Sequence, residues 1–508
     1  MNEPVDDKIS VKIWAGYLAL CLGMFMAILD IQIVASSLPN IQSALNIPFD
    51  NLSWIQTAYL IAEIVAIPLT GWLTRLMSVR GLFIFAVTGF TLASIGCATS
   101  AHFETLLIFR AIQGFCGGAL IPIVFTSIFT LFPKRMHIFA GTIGGLFAMI
   151  APAIGPVLGG YITENYSWQW LFLVNVTPGI IVTIIAAFCV RIGKPDWKLF
   201  RHLDFIVVLL AAICLASLEL ILKEGPKHHW HGNLITPLMI LFAVTGILTI
   251  RRSLAASEPV IDIRCFTDRS FTIGCFYSFV LGMGLFGSVY LTPLYLGAVR
   301  QHTPFEIGKI MIVMGVAQLI VAPIAAFAEK RISPVWLTGF GYGLFAAGLI
   351  TNGYMTFNTD FDGLFWPQIF RGVAVLFCLL PTTNLALQTQ PINRMSNASG
   401  LFNLMRNLGG AIGIALIDTI LEQRTPTHAA KLGEKLQSGD IVTAKLIGLP
   451  MAQFHKLLSP KSAMHMQGFI EPLIQRTALV LSFNEAWLML GAVFLLAFLA
   501  VPLMRRSH

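Results

Sequence analysis

Gly141 to Tyr161 reads GTIGGLFAMIAPAIGPVLGGY, an apolar run long enough to cross a bilayer, since a span needs ~20 residues at ~1.5 Å each. It carries six glycines and two prolines, a composition that a helix in water would scarcely survive. Within lipid the same composition is workable. Neighbouring helices satisfy the carbonyls that Pro152 and Pro156 leave unpaired, and small residues let backbones approach closely. Gly141 and Gly145, Gly155 and Gly159, and the two prolines are each four residues apart, so each pair shares one helix face. The stretch predicts a bent rod with a small-residue side against which another helix lies or slides.

Outward from this stretch the chain is of one kind. Its 508 residues are 56% hydrophobic and only 11% charged, which excludes a water-soluble globule and indicates a polytopic, all-α membrane protein. Fourteen apolar segments can be counted, from Trp14–Leu38 to Phe483–Met504. An even number puts both termini on one side. Short cytoplasmic loops carry the excess of lysine and arginine, and with the N-terminus inside, the inner segments hold 19 such residues. The short outer loops hold Lys223, Lys227 and Arg300. The expected topology is therefore N-in and C-in. The formal charge of +8 then needs no nucleic-acid partner, because insertion itself demands it. The mixed charges before the first span argue for a retained segment rather than a cleaved signal.

The eight cysteines are scattered through apolar runs and read as packing residues, with no disulfide framework and no metal site. His228, His229 and His231 of the loop KHHWH lack a further ligand at set spacing and read as a solvated loop. No GxxxxGK run occurs, so nucleotide hydrolysis is not supported, no cofactor is expected, and ion gradients or passive flow remain as energy sources. One connection, 422–482, is too long for a turn and is expected to be a folded docking element or a mobile loop.

The chain repeats itself. Gly145-Leu146-Phe147 recurs as Gly400-Leu401-Phe402, and Pro68, Arg75 and Ser78 recur as Pro323, Lys330 and Ser333, both at an offset of 255. Ile108-Phe109-Arg110 recurs as Ile369-Phe370-Arg371 at 261. These matches pair spans 1 to 6 with spans 9 to 14 in the same orientation and leave spans 7 and 8 as an inserted hairpin, a 6 + 2 + 6 plan with the substrate site between the halves. The corresponding divisions are 1–12 (cytoplasmic N-terminus), 13–191 (first bundle), 192–270 (hairpin and linkers) and 271–508 (second bundle, with the external loop 422–482).

Ionisable residues inside spans are costly and are functional candidates by default. Asp30 and Arg110 both lie ~10 Å below the outer ends of spans 1 and 4 and are placed to face each other, either as proton-coupling machinery or as a static pair that sets helix registry. Glu63, in the apolar run Ile61-Ala62-Glu63-Ile64-Val65, is a second proton site or a satisfied structural carboxylate. Arg371 is a partner for Glu63 across the halves or a counter-charge for an anionic substrate. Gln32, Glu63 and Arg371 are the expected substrate contacts. Arg406 is expected to snorkel or cap, and Asp418, Glu219 and Glu485 to sit in solvated span ends.

Several motifs carry a family resemblance. Leu29-Asp30 to Leu38-Pro39, Gly71-Trp72-Leu73 to Arg80-Gly81, Arg110 with Gln113-Gly114, and Pro152 with Gly155-Pro156 and Gly159-Gly160 resemble motifs of the fourteen-span drug:proton antiporters of the major facilitator superfamily, EmrB/QacA type. Trp168 to Phe172 with Asn175, Arg269 to Gly274, and Trp366-Pro367-Gln368 are similar to its EmrB-like branch. The resemblance implies the major facilitator fold with 14 transmembrane helices in a bacterial inner membrane and, as function, proton-coupled efflux of amphipathic drugs. It also implies Asp30 and Arg110 in the coupling machinery, an antiporter-motif helix that limits leak, and a cytoplasmic gate loop at Gly71, Arg75 and Arg80. Docking to a periplasmic adaptor and an outer-membrane channel is implied as well. This chain departs from the pattern at Thr74, where the motif has an acid, and at Gln32, Ala35, Glu63 and Arg371. A dedicated exporter of a metabolite such as a siderophore, and more remotely a non-transporting scaffold, are the other readings.

Overall fold

The computed structural model describes residues 10–48, 54–190, 193, 195–202, 204–256, 259–392, 394–451, 454, 460–502 and 504. Residues 1–9 of the expected cytoplasmic N-terminus, Leu52 at the start of the second apolar segment, and Arg191 and Lys194 of the charge count lie outside them. The main helices are α1 (Val11–Ser36), α2 (Trp54–Ala98), α3 (Phe103–Leu131), α4 (His137–Asn165), α5 (Val176–Cys189), α6 (Phe205–Glu224), α7 (Ile235–Ala255), α8 (Arg269–Ala298), α9 (Pro304–Arg331), α10 (Pro334–Asn352), α11 (Phe361–Leu387), α12 (Met395–Gln437) and α13 (Pro460–Ala500). Their outward faces carry large exposed apolar side chains such as Leu92, Phe188, Leu209, Ile320 and Leu496, as suits contact with lipid tails.

Among the described residues twelve helices are long and apolar enough to cross a membrane, or thirteen if the bent pair Lys134–Pro152 and Ile154–Asn165 forms one span. The sequence count of fourteen differs at α2. Its 45 residues would reach ~68 Å as one rod, about twice the thickness of a hydrocarbon core. Ser78 interrupts it with φ 68° and ψ 162°, where the repeat and the loop motif both place a turn. The antiporter-motif helix α4 bends by 41° at Pro152–Ile154, as its composition predicts.

The same packing occurs twice. α1 lies along α4 as α8 lies along α12, and between the halves α4 packs on α9 as α2 packs on α12. Glycines line both seams between the halves. At one end a Cβ on Gly71 would meet the Asn397 side chain at 2.4 Å, and one on Gly400 would meet the Ile67 carbonyl at 3.0 Å. At the other end a Cβ on Gly160 would meet Phe305 N at 2.8 Å, and one on Gly308 would meet Val157 N at 2.7 Å. With the halves touching at both ends, the conformation is closed.

The inserted hairpin, α6 with α7, leans on α2 and α12. The segments on either side of it are tied to the turn that ends the first part of α2: Arg75 Nη2 donates to the Pro259 carbonyl at 3.3 Å, and Asp196 N to the Leu76 carbonyl at 3.0 Å. The long loop is folded in its described part. α12 and α13 run on past the bilayer into a protrusion, where Leu432, Leu436, Ile447, Phe454, Ile470 and Ile474 form a small separate core. At its base Arg424 clasps Glu485 at 2.6 and 2.9 Å, and His428 reaches the same carboxylate at 2.9 Å. Within the segment 422–482, residues 452–453 and 455–459 lie outside the described residues.

Two outcomes test these packings. Leu436→Asp places a charge in the small separate core; limited proteolysis should then cut the protrusion at least tenfold faster while the membrane part stays intact. At the expected outer surface Arg300 Nη2 and His302 Nε2 reach the two Asp360 oxygens at 2.6 and 3.0 Å. Burial raises the Asp360 carboxyl, but these hydrogen bonds outweigh it and hold the group below its ordinary value. A lowered carboxyl contributes stability that is complete above its unfolded value, near ~3.9, and is lost as pH falls through the lower folded value. The melting temperature should therefore drop below about pH 4, and Asp360→Asn should flatten that part of the profile.

Candidate functional site

Two helices of the first half supply a buried ion pair, and neighbouring groups complete its hydrogen bonds. Asp30 on α1 and Arg110 on α3 are both fully buried and joined at 2.6 Å, Nη1 to Oδ2. Asp30 Oδ1 also accepts from Gln113 Nε2 at 3.0 Å and Asn175 Nδ2 at 2.7 Å. Gln113 in turn accepts from Arg110 Nη1 at 2.7 Å and donates to Ser94 Oγ at 2.8 Å. Arg110 Nε donates to the Ile55 carbonyl at 3.1 Å, and its guanidinium lies 4.4 Å from the Tyr59 ring centroid. Arg110 Nη2 finds no hydrogen-bond partner among the described residues.

Each group arrives by a local cause. Gln113 lies one helical turn after Arg110, so both point to one side of α3. Asn175 stands at the break between the short helix Trp170–Leu173 and α5, which aims its amide inward. Tyr59 is held by its hydroxyl, which donates to the Ala27 carbonyl at 3.2 Å, and by α3, where a Cβ on Gly114 would meet the Tyr59 carbonyl at 2.1 Å. Gln113 and Asn175 appear in the sequence only as motif letters; their role as donors to Asp30 was not legible there.

The other expected site residues separate into different places. Glu63 is buried on α2 and makes no ion pair among the described residues; Glu219 of the hairpin and Arg110 are the charges that act on it. Its expected partnership with Arg371 is not formed, because the two lie in different halves and no carboxylate acts on Arg371. Gln32 packs against the antiporter-motif helix: a Cβ on Gly155 would sit 2.3 Å from Gln32 Cβ, which is why glycine stands there. Ser37 Oγ donates to the Gly159 carbonyl at 3.3 Å on the same helix. Gly160 lies on one seam and Gly71 on that at the opposite end, while Arg80 is exposed.

Arg406 does not snorkel. It is buried, donates to Asn403 and lies 5.3 Å from the Phe125 ring centroid. Asp418 and Glu485 are not merely solvated either: Asp418 accepts from Tyr290 Oη at 2.8 Å, and Glu485 is clasped as above, while Glu219 is half-buried on α6. The acid missing at Thr74 has a counterpart. The offset of 255 carries position 74 to Glu329, which accepts a hydrogen bond from Asn384 on α11. Thr74 instead turns its hydroxyl back to the Thr70 carbonyl at 2.6 Å.

Breaking a buried pair by neutralising one partner costs ~3–5 kcal/mol, because the other charge is left uncompensated. Asp30→Leu should therefore lower the melting temperature strongly, and adding Arg110→Met should recover most of the loss. A double-mutant cycle in detergent measures both.

A sequence model of the family described as "Major Facilitator Superfamily" matches residues 20–414. The "Colistin resistance protein EmrB" of Acinetobacter baumannii is 35% identical over 492 residues, covering 96% of each chain. The "Multidrug export protein EmrB" of Escherichia coli K12 is 30% identical over 485 residues, covering 94% of this chain and 92% of that one. Among solved structures, that of the proton:xylose symporter XylE superposes with a TM-score of 0.59 at 12% identity, covering 97% of this chain and 96% of that one; it shows the shared fold.

Proposed function

We propose, from the premise that this chain belongs to the major facilitator superfamily, that it exports amphipathic compounds in exchange for protons. The coarser conclusion stands directly on the relatives: this is a multi-pass inner-membrane transporter of the multidrug-efflux type and not an enzyme. Proton coupling, the fourteen-span N-in and C-in arrangement, the 6 + 2 + 6 division, and assembly with an adaptor and an outer-membrane channel belong to the proposal.

The observation that carries the proposal is the state of the two acids in the first half. Asp30 is dry and fully satisfied by Arg110, Gln113 and Asn175, so it exchanges a proton only when the halves rearrange and loosen that network. Glu63 is buried beside another acid with no cation paired to it, so a proton is the charge available to balance it. Carboxylates kept inside spans are costly and mark proton pathways by default. The closed seams at both ends supply the conformation between the two open states. The protrusion beyond α12 and α13 exposes Ile441, Val442, Leu446 and Phe469, an apolar face that suits an adaptor.

Proton flux in proteoliposomes tests the proposal, with an imposed pH gradient, a pH dye inside, and a panel of lipophilic cations plus one siderophore. Wild type should show substrate-dependent proton movement. Glu63→Gln should reduce it at least tenfold with the protein still folded, and Asp30→Asn should do the same in protein that passes the same folding check. Wild-type flux from both variants would remove these acids from the coupling.

A further inference from the structure

Arg371 is the repeat-mate of Arg110, but what surrounds it is different. Arg110 has an aspartate and a glutamine; at the offset that pairs the arginines, Ala374 stands where Gln113 does. The offsets of 255 and 261 carry Asp30 to positions between 285 and 291, which read LFGSVYL and contain no acid. The residue is 98% buried. Its one hydrogen bond among the described residues is from Nε to the Pro367 carbonyl of its own helix at 3.3 Å, and no carboxylate acts on it. The side chain is nonetheless firmly placed. A Cβ on Gly348 would lie 2.9 Å from its Cγ, and the guanidinium stands 4.9 Å from the Trp487 ring centroid.

The guanidinium opens onto a cavity between the halves. Ser288, Thr292 and Gln368 give that cavity its other polar groups, Met311 and Met314 an apolar wall, and Pro152 of the antiporter-motif helix the face from the first half. Its volume is about 20 Å³ in this closed conformation, room for one water or for the oxygen of a small headgroup. An uncompensated buried cation is costly and is kept by default for function. A planar fork with free N–H groups matches a carboxylate bidentately.

We infer that Arg371 is the recognition site for the carboxylate of an anionic amphiphile whose alkyl part lies along the methionine wall when the halves open. The inference rests on the export reading and gives its substrate class. The second half holds the anion while the acids of the first half handle the proton.

The test uses full-length protein in phosphatidylcholine nanodiscs, with decanoate, decanol and decyltrimethylammonium as probes and calorimetry as the readout. Wild type should bind decanoate at least tenfold more tightly than decanol. Arg371→Gln should bring decanoate to the level of decanol, Arg371→Lys should fall between, and decyltrimethylammonium should move less than twofold. Because the charge has no protein partner, the melting temperature of Arg371→Gln should equal or exceed that of wild type. A fall in melting temperature without selective loss of decanoate binding would assign Arg371 to packing and overturn the inference, as would equal binding of decanoate and decanol by wild type. Phosphatidylglycerol added to the nanodiscs should leave decanoate affinity unchanged; competition would give the site to a lipid headgroup instead. If decanoate binding depends on Arg371 but no probe drives proton flux in wild type, the export reading fails and the anion site stands. If decyltrimethylammonium drives flux while decanoate binding ignores Arg371, the reverse holds.

Discussion

A charge removed from water inside a bilayer must be met by another group, and how each half of this protein meets its arginine organises the rest. In the first half Arg110 is met by Asp30, and the remaining lone pairs of that carboxylate are met by Gln113 and Asn175. These contacts come from α1, α3 and the break before α5, so the network pins the helices of that bundle in one registry. In the second half the corresponding arginine has no such partner and opens toward the interface. The two bundles share one packing plan but differ in electrostatics: the first pairs its arginine internally, and the second leaves the corresponding arginine without a carboxylate at the cavity.

The second constraint is steric. The halves touch through glycines whose absent side chains leave room for a backbone or a side chain from the other half: Gly71 against Asn397 and Gly308 against Val157. Contacts of this kind involve few interlocking side chains, so they separate without repacking a core. Within each half the opposite holds, with large buried side chains such as Tyr17, Phe83, Tyr342 and Trp487 at the centres. Rigid bundles meeting at smooth seams are what alternating exposure of a central site requires. The turn at Ser78 and the flanks of the inserted hairpin are hydrogen-bonded together at one end of the seam, so movement of that end is transmitted to the hairpin.

Much of this was legible in the chain. The helical membrane class follows from the apolar runs, which at ~20 residues suit spanning helices rather than the ~10-residue alternating strands of a barrel. The internal repeat, the bent α4, the matching depth of Asp30 and Arg110, and Glu63 as a buried acid follow from spacing and depth along single helices. The turn at Ser78 was visible as a loop motif even though the helical path runs almost continuously through it.

What tertiary structure alone decided is which side chains converge. Hydropathy fixes a span's depth to within a turn, but its rotation is set by packing against neighbours, and one residue of rotation turns a side chain by about 100°. Hence Asn175 as a donor to Asp30, Glu219 beside Glu63, Trp487 under Arg371 and the missing contact between Glu63 and Arg371 were beyond reading. Each depends on the relative rotation of helices far apart in the chain. The folded protrusion was likewise undecided, because its core is assembled from Leu432 to Ile474, residues on separate helices whose convergence no single stretch announces. Sequence determined the solvent, the spans and the costly charges; packing determined which of those charges were neutralised and which was left to meet a ligand.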